Sequence, residues 1–235
     1  MISYSLWTAL QGRADFELLG ERTGFSFAAV ESNGSRLFIA VRSSSVTYPH
    51  TLNYPALAWE LHQAGCTHVL SAGVAGALDR DTPVPSLLIP DQFIDLHRTA
   101  PVNTPHHEDS LYKDFSVPYC PFLRSQAQAF LARRSEWPVS KAGNYVGVDG
   151  PRYETAAEAR AYRSLGGDAV GMTAVRETIA YRYAGLCVAT IALITRRAAG
   201  LEAAPASPAS IANAGGLILD CGCFVASQMM ECGCE

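Results

Sequence analysis

The residue types best suited to chemistry crowd into one stretch, GPRYETAAEARAYRSLGGDAVGMTAVRET, residues 150–178. A Gly-Pro turn leads into an aromatic, Tyr153, and a carboxylate, Glu154. A helical pattern follows, and a short apolar run then ends on Gly-Met-Thr, with Met172 and Thr173. The stretch is neither a metal motif nor a Walker loop. Taken singly, its members have ordinary explanations. A Glu just before a helix complements the first-turn dipole, and a Met at a strand end is usually core. What they do together depends on the elements that carry them.

Those elements alternate. RLFIAVR (36–42) reads as a strand, and residues 43–50 as polar and irregular. NYPALAWELHQAG places Leu57, Leu61 and Ala64 on one helical face, with Gly65 as its stop. THVLSAGVAGAL reads as a short buried strand entering a small-residue turn. SLLIPDQFID is another apolar run, in which Pro90 marks an edge or bulge. Residues 97–118 read as a long loop, with His97, His106 and His107 solvated. Next come the helix CPFLRSQAQAFLARR, the strand SKAGNYVGVDG, a helix from Thr155 to about Leu165 and the strand DAVGM. A helix over about 174–184 and the apolar run CVATIALIT follow. Residues 207–230 are helical in pattern, weakened by Gly215-Gly216 and a Cys-Gly-Cys unit. This alternation predicts one α/β domain over residues 1–235, a mixed β-sheet flanked by helices. Ligands bind beyond the carboxyl ends of strands in such sheets, which singles out DAVGMT and IALITRR.

Composition excludes several classes. Of 235 residues, 49% are hydrophobic and 17% charged, and the net charge is −4. With no basic stripe, neither nucleic acid nor an anionic membrane is an expected partner. No window offers about eighteen uninterrupted apolar residues, so no transmembrane helix is expected. MISYSLWTALQGRADF lacks the pattern of a secretory signal, and a cytoplasmic location is expected. Seven cysteines are an odd number for a disulfide framework. The tail, 221–235, holds Cys221-Gly-Cys223 and Cys232-Gly-Cys234. One residue between thiols is fewer than structural zinc sites use, so no metal is expected. The thiols read as reduced, with a tail-locking disulfide as the other reading.

As a set, GPRYET, GGDAVGMT-x-V-x-E and GLCVATIALIT resemble the purine nucleoside phosphorylase and methylthioadenosine (methylthioinosine) phosphorylase family. LNYPALAWELHQAGCTHVL, GVAGAL, IPDQFID and DFSVPYCP match corresponding stretches in order, over roughly residues 50–200. The resemblance implies the nucleoside-phosphorylase fold, a homotrimer, a small-molecule nucleoside and no cofactor, with phosphate as co-substrate. Phosphate attacks an oxocarbenium-like sugar while hydrogen bonds stabilise the departing base, so catalysis rests on positioning and electrostatics. By the same resemblance Tyr153 lies against the purine face and Glu154 accepts from N1–H of a 6-oxopurine. Met172 packs under the ribose, and Thr173 offers a hydroxyl and a backbone N–H to an anion.

Several family features are altered. No Gly-Thr-Gly turn opens the chain; Gly20 and Thr23-Gly24 are weak substitutes with no strand expected before them. Arg42-Ser43-Ser44 stands where the family has Arg-His-Gly, and Gly73-Val74 where a Thr or Ser precedes the Gly-rich turn. The phosphate site thus reduces to Arg42 and Thr173, with the serines at 43–45 as further donors. Arg196 replaces the usual Asn or Asp at the base. Its guanidinium could donate in parallel to O6 and N7 and stabilise a departing purine anion; the other reading pairs it with Glu154 inside the pocket. Tyr112 takes the position that reaches a neighbouring subunit's site, and His50 matches a His of methylthioinosine-type members.

The leading expectation is cleavage of the N-glycosidic bond of a purine nucleoside, one modified at the 5′ position included. A nucleosidase that uses water, and a non-catalytic purine-binding or scaffold protein, are the alternatives that the reduced phosphate site raises.

Overall fold

A computed structural model describes residues 16–22, 24–32, 35–42, 48–98, 112–202, 204–228 and 232. Along the chain run β1 (Phe16–Arg22), β2 (Phe25–Ser32), β3 (Ser35–Arg42), α1 (Tyr54–Gln63), β4 (His68–Ala77), β5 (Ser86–Leu88) and β6 (Gln92–Asp95). Then follow α2 (Pro121–Arg134), β7 (Val139–Ser140), β8 (Asn144–Gly147), α3 (Ala156–Ser164), β9 (Ala169–Gly171), α4 (Ala174–Tyr183), β10 (Cys187–Arg197) and α5 (Pro208–Ser227). The result is the expected single α/β domain with a mixed sheet between helices.

The central sheet has the order β6-β8-β9-β4-β10-β5-β7, and β1-β2-β3 form a separate antiparallel sheet. β10 is the axis. It is buried from Cys187 to Thr195, because a strand covered on both faces is apolar throughout rather than alternating. Cys187, Ala189, Ile191 and Leu193 pack with residues of α2 and α5. Val188, Ala192 and Ile194 face the opposite layer, formed by α1 and α4. β4 runs parallel to β10, from Cys187↔His68 to Arg197↔Ala77. Both strands therefore deliver their carboxyl ends to the same place.

The elements depart from the sequence reading where local signals mislead. β1 and β2 were not expected; a strand does precede Gly24, but it turns back as a hairpin rather than into an anion-binding loop. Pro90 breaks the run SLLIPDQFID into two strands, β5 beside β10 and β6 at the sheet edge. SKAGNYVGVDG likewise splits into β7 and β8. The helix expected to be weak is unbroken across Gly215-Gly216 and Cys221-Gly222-Cys223. Gly222 is buried against β3, where a Cβ would stand 3.5 Å from Leu37, an ordinary contact distance. By length and composition alone α5 could cross a membrane, yet here Ile211, Ile218, Leu219 and Val225 are buried in the core. His97 is not solvated. Its side chain is wholly buried, with Nδ1 2.5 Å from Asp95. His106 and His107 lie outside the described residues.

Candidate active site

At the carboxyl ends of β4 and β10, Arg196 stands in register with Gly76, just after a register shift between Ile194 and Arg196. Such a bulge re-aims the side chain that follows it. Gly76 gives that side chain its room: a Cβ there would lie 3.1 Å from Arg196 Cζ. The guanidinium lies across β4 and donates from Nη1 and Nη2 to the two carboxylate oxygens of Glu154, at 2.7 and 2.9 Å. The Ala199 backbone N–H donates to the same carboxylate at 3.1 Å. On the open side, the Tyr153 ring centroid is 4.2 Å from Arg196 Cζ.

Helix α3 fixes Tyr153 and Glu154 from behind. Thr155 and Glu158 form a reciprocal capping box, and Arg152 donates two bonds to Glu158, at 2.8 and 2.7 Å. These bonds, the Arg152 pair first, hold the Glu158 carboxyl down to about 2. Glu154 differs, because its side chain is 1% exposed. Burial pushes its carboxyl up, but the Arg196 fork and backbone donors outweigh that and hold it below the ordinary range.

Beside this fork opens a cavity of about 440 Å³ that follows β4 from His68 to Gly76. Gly73, Val74, Tyr153, Met172, Thr173 and Arg196 all line it. Met172 Sδ sits where Gly150 has no side chain, 2.7 Å from the Cβ an alanine would add. Thr173 faces Gly73, its Oγ1 3.5 Å from the equivalent point. Thr173 is also the N-cap of α4, and its hydroxyl makes no capping bond. The first-turn N–H groups of a helix seek an acceptor and favour negative charge.

Other sequence candidates lie elsewhere. His50 is exposed outside the cavity wall and stacks on Tyr48, ring centroids 5.7 Å apart. Tyr112 is 88% exposed and apart from the cavity. Arg42 ends β3 opposite Phe25, with its side chain outside the described residues, as are residues 43–47 and Thr23. Sequence reasoning overlooked Ser71 and Glu177, which meet through a short Ser71 Oγ–Glu177 Oε2 hydrogen bond on the cavity wall. Glu177 closes the quoted GMT-x-V-x-E motif, so its signal was present. Ser71 had none.

The Phosphorylase superfamily model matches residues 12–218, and the chain belongs to that family. It is 39% identical over 161 residues to 6-oxopurine nucleoside phosphorylase of Pyrococcus furiosus, covering 66% of this chain and 60% of that protein. It is 31% identical over 193 residues to S-methyl-5'-thioadenosine phosphorylase of Hyperthermus butylicus, covering 82% and 67%. The chain thus spans about three fifths of the length of the first of these curated relatives. In fold it superimposes on methylthioadenosine phosphorylase from Schistosoma mansoni in complex with tubercidin, with TM-score 0.74, 20% identity and coverage of 92% and 86%.

Proposed function

We propose that the chain cleaves the N-glycosidic bond of 6-oxopurine nucleosides by phosphorolysis, 5′-modified nucleosides included. The observation that carries this reading is the Glu154–Arg196 fork under Tyr153, at the joint carboxyl ends of two strands and beside Met172 and Thr173. The family, and the activity named for the Pyrococcus furiosus relative, support it.

On this reading the base slides against Tyr153 and opens the fork. Glu154, held ionised, accepts from N1–H, while Arg196 donates to O6 and N7. As the C1′–N9 bond breaks, its electron pair stays with the purine, and the guanidinium stabilises the developing negative charge. Met172 packs under the ribose. Phosphate, the co-substrate, bonds to C1′ through one oxygen; the Thr173 hydroxyl, the amino end of α4 and Arg42 hold it. No resident cofactor is needed for these steps. Glu177 also lines the cavity, where it accepts a hydrogen bond from the Ser71 hydroxyl of β4. A cytoplasmic homotrimer acting in purine salvage completes the reading, with Tyr112, exposed away from its own cavity, reaching a neighbouring site.

Product analysis tests it. Inosine, guanosine, adenosine and 5′-methylthioinosine are each incubated with and without phosphate. Base release only with phosphate, together with a sugar 1-phosphate, is the expected result. Release without phosphate would make the protein a hydrolase, and binding without release would leave a recognition protein.

A further inference from the structure

At the opposite ends of β4 and β10, three soft ligand atoms converge. His68 and Cys187 begin their strands and are register partners, and Cys232 follows α5. His68 Nε2 is 3.1 Å from Cys232 Sγ; Cys187 Sγ is 3.2 Å from Cys232 Sγ. All three ligand atoms lie within 4.8 Å of one another. Thr67 Oγ1, 2.8 Å from His68 Nδ1, fixes the ring so that Nε2 faces the sulfurs.

We propose that His68, Cys187 and Cys232 bind one zinc ion, which clamps the segment beyond α5 to the amino ends of β4 and β10. Imidazole and thiolates are the donors zinc favours, at about 2.0–2.1 Å for nitrogen and 2.3 Å for sulfur. Tetrahedral ligands at those lengths stand roughly 3.5–3.8 Å apart, so the His68–Cys232 and Cys187–Cys232 separations need to open by only about half an ångström. Binding displaces one proton from each thiol, giving two thiolates and a neutral imidazole. Solvent or a further donor takes the fourth position. Thr67 plays the outer partner that metal-bound histidines usually have. A disulfide between the same sulfurs would require them to close to about 2.05 Å, and it would leave the oriented imidazole with no role. His68 is eight residues from Gly76 on one strand, roughly 26 Å from the base site, so the ion acts on the fold rather than on the reaction.

The test uses the full chain without an affinity tag of histidines, purified in reductant without chelator. Elemental analysis is expected to find one zinc per chain. Cobalt exchanged for zinc is expected to give thiolate charge-transfer and tetrahedral visible bands. Cys232→Ser is expected to abolish both signals, while Cys223→Ser, within α5, leaves them intact. Thr67→Val is expected to weaken metal affinity about 10–100-fold. Reduced protein that takes up neither metal would overturn the proposal. So would a mass lower by two hydrogens with a cross-linked Cys187–Cys232 peptide, which would make the pair a redox couple. Should Cys232→Ser fail to fold, the cobalt spectrum of the unaltered chain still decides.

Discussion

Arg196 and Glu154, 42 residues apart, close on each other through two parallel hydrogen bonds. The carboxylate is almost fully buried and the guanidinium a quarter exposed. The contact settles how the two groups rest: they pair. It also makes the fork a latch, because a planar ligand with a donor beside an acceptor can enter between them and keep both charges hydrogen-bonded.

Removing one half of the latch strands the other. Arg196→Met is expected to cost about 3 kcal/mol at pH 7, since it leaves a buried carboxylate without its cation. In the unaltered chain the Glu154 pKa is lowered, so its contribution is present above the unfolded value near ~4.3 and is lost as pH falls through the folded value. In the variant, burial without the fork raises that pKa, so acid relieves the penalty. Urea unfolding at pH 7 and pH 5 should show the gap between the two proteins narrowing. An unchanged gap would mean that the carboxylate is not the cause. Glu154→Met combined with Arg196→Met should recover most of the loss.

Gly76 is the second control on the latch. Its backbone accepts an L-residue, because its φ lies outside the left-handed range. In Gly76→Ala the new methyl meets Arg196 Cζ and Nη1 at 3.1 Å, a crowding expected to cost about 1–3 kcal/mol. On the phosphorolysis reading, KM for inosine rises more than kcat falls, because the guanidinium is displaced before the base arrives. A fall in kcat with KM unchanged would place the effect elsewhere.

How much of this was legible depends on the range of the signal. CVATIALIT could be read as an apolar run of the sheet because nine consecutive positions carry the message, while its burial on both faces shows only in the packing. Tyr153, Glu154, Met172 and Thr173 could be read because neighbouring motifs named them together. β1 and β2 escaped because FELLGER places charge and glycine within a strand, and FSFAAVES owes its place to cross-strand pairing and to the packing of Phe25 and Val30 against helices distant in sequence. Pro90 announced an interruption but not that its two halves would lie at distant parts of the sheet. Ser71, and the approach of Cys232 to His68, depend on contacts across 106 and 164 residues, which no local pattern encodes. The pairing of Arg196 with Glu154 was foreseen as one of two options, and only geometry could choose.

The cap that holds Tyr153 and Glu154 predicts a second acid response. Glu158 has a folded pKa of about 2 against an ordinary ~4.3. The stability it lends is therefore complete above about pH 5 and disappears as pH falls from about 4 to 2. The stability difference between the unaltered chain and Glu158→Gln should be constant from pH 7 to 5 and vanish near pH 2. Thr155→Ala removes the other half of the box and is expected to cost about 1 kcal/mol at any of these values. A Glu158 difference that persists at pH 2 would show that its hydrogen bonds, not its charge, hold the turn.

Thr173 separates the two ends of the substrate. Its hydroxyl makes no capping bond, so Thr173→Val should leave thermal stability within about 0.5 kcal/mol. If that hydroxyl receives phosphate at the amino end of α4, its removal deletes one hydrogen bond to a charged group, worth about 1.5–3 kcal/mol. KM for phosphate should then rise about tenfold or more, while KM for inosine moves little, because Tyr153, Glu154 and Arg196 are untouched. Arsenate, which has the same shape and charge, should show the same loss. Equal rises in both KM values would instead assign Thr173 to the sugar beside Met172. The phosphate would then rest on Arg42 and the backbone of α4, and Arg42→Met would become the variant that separates the two substrates.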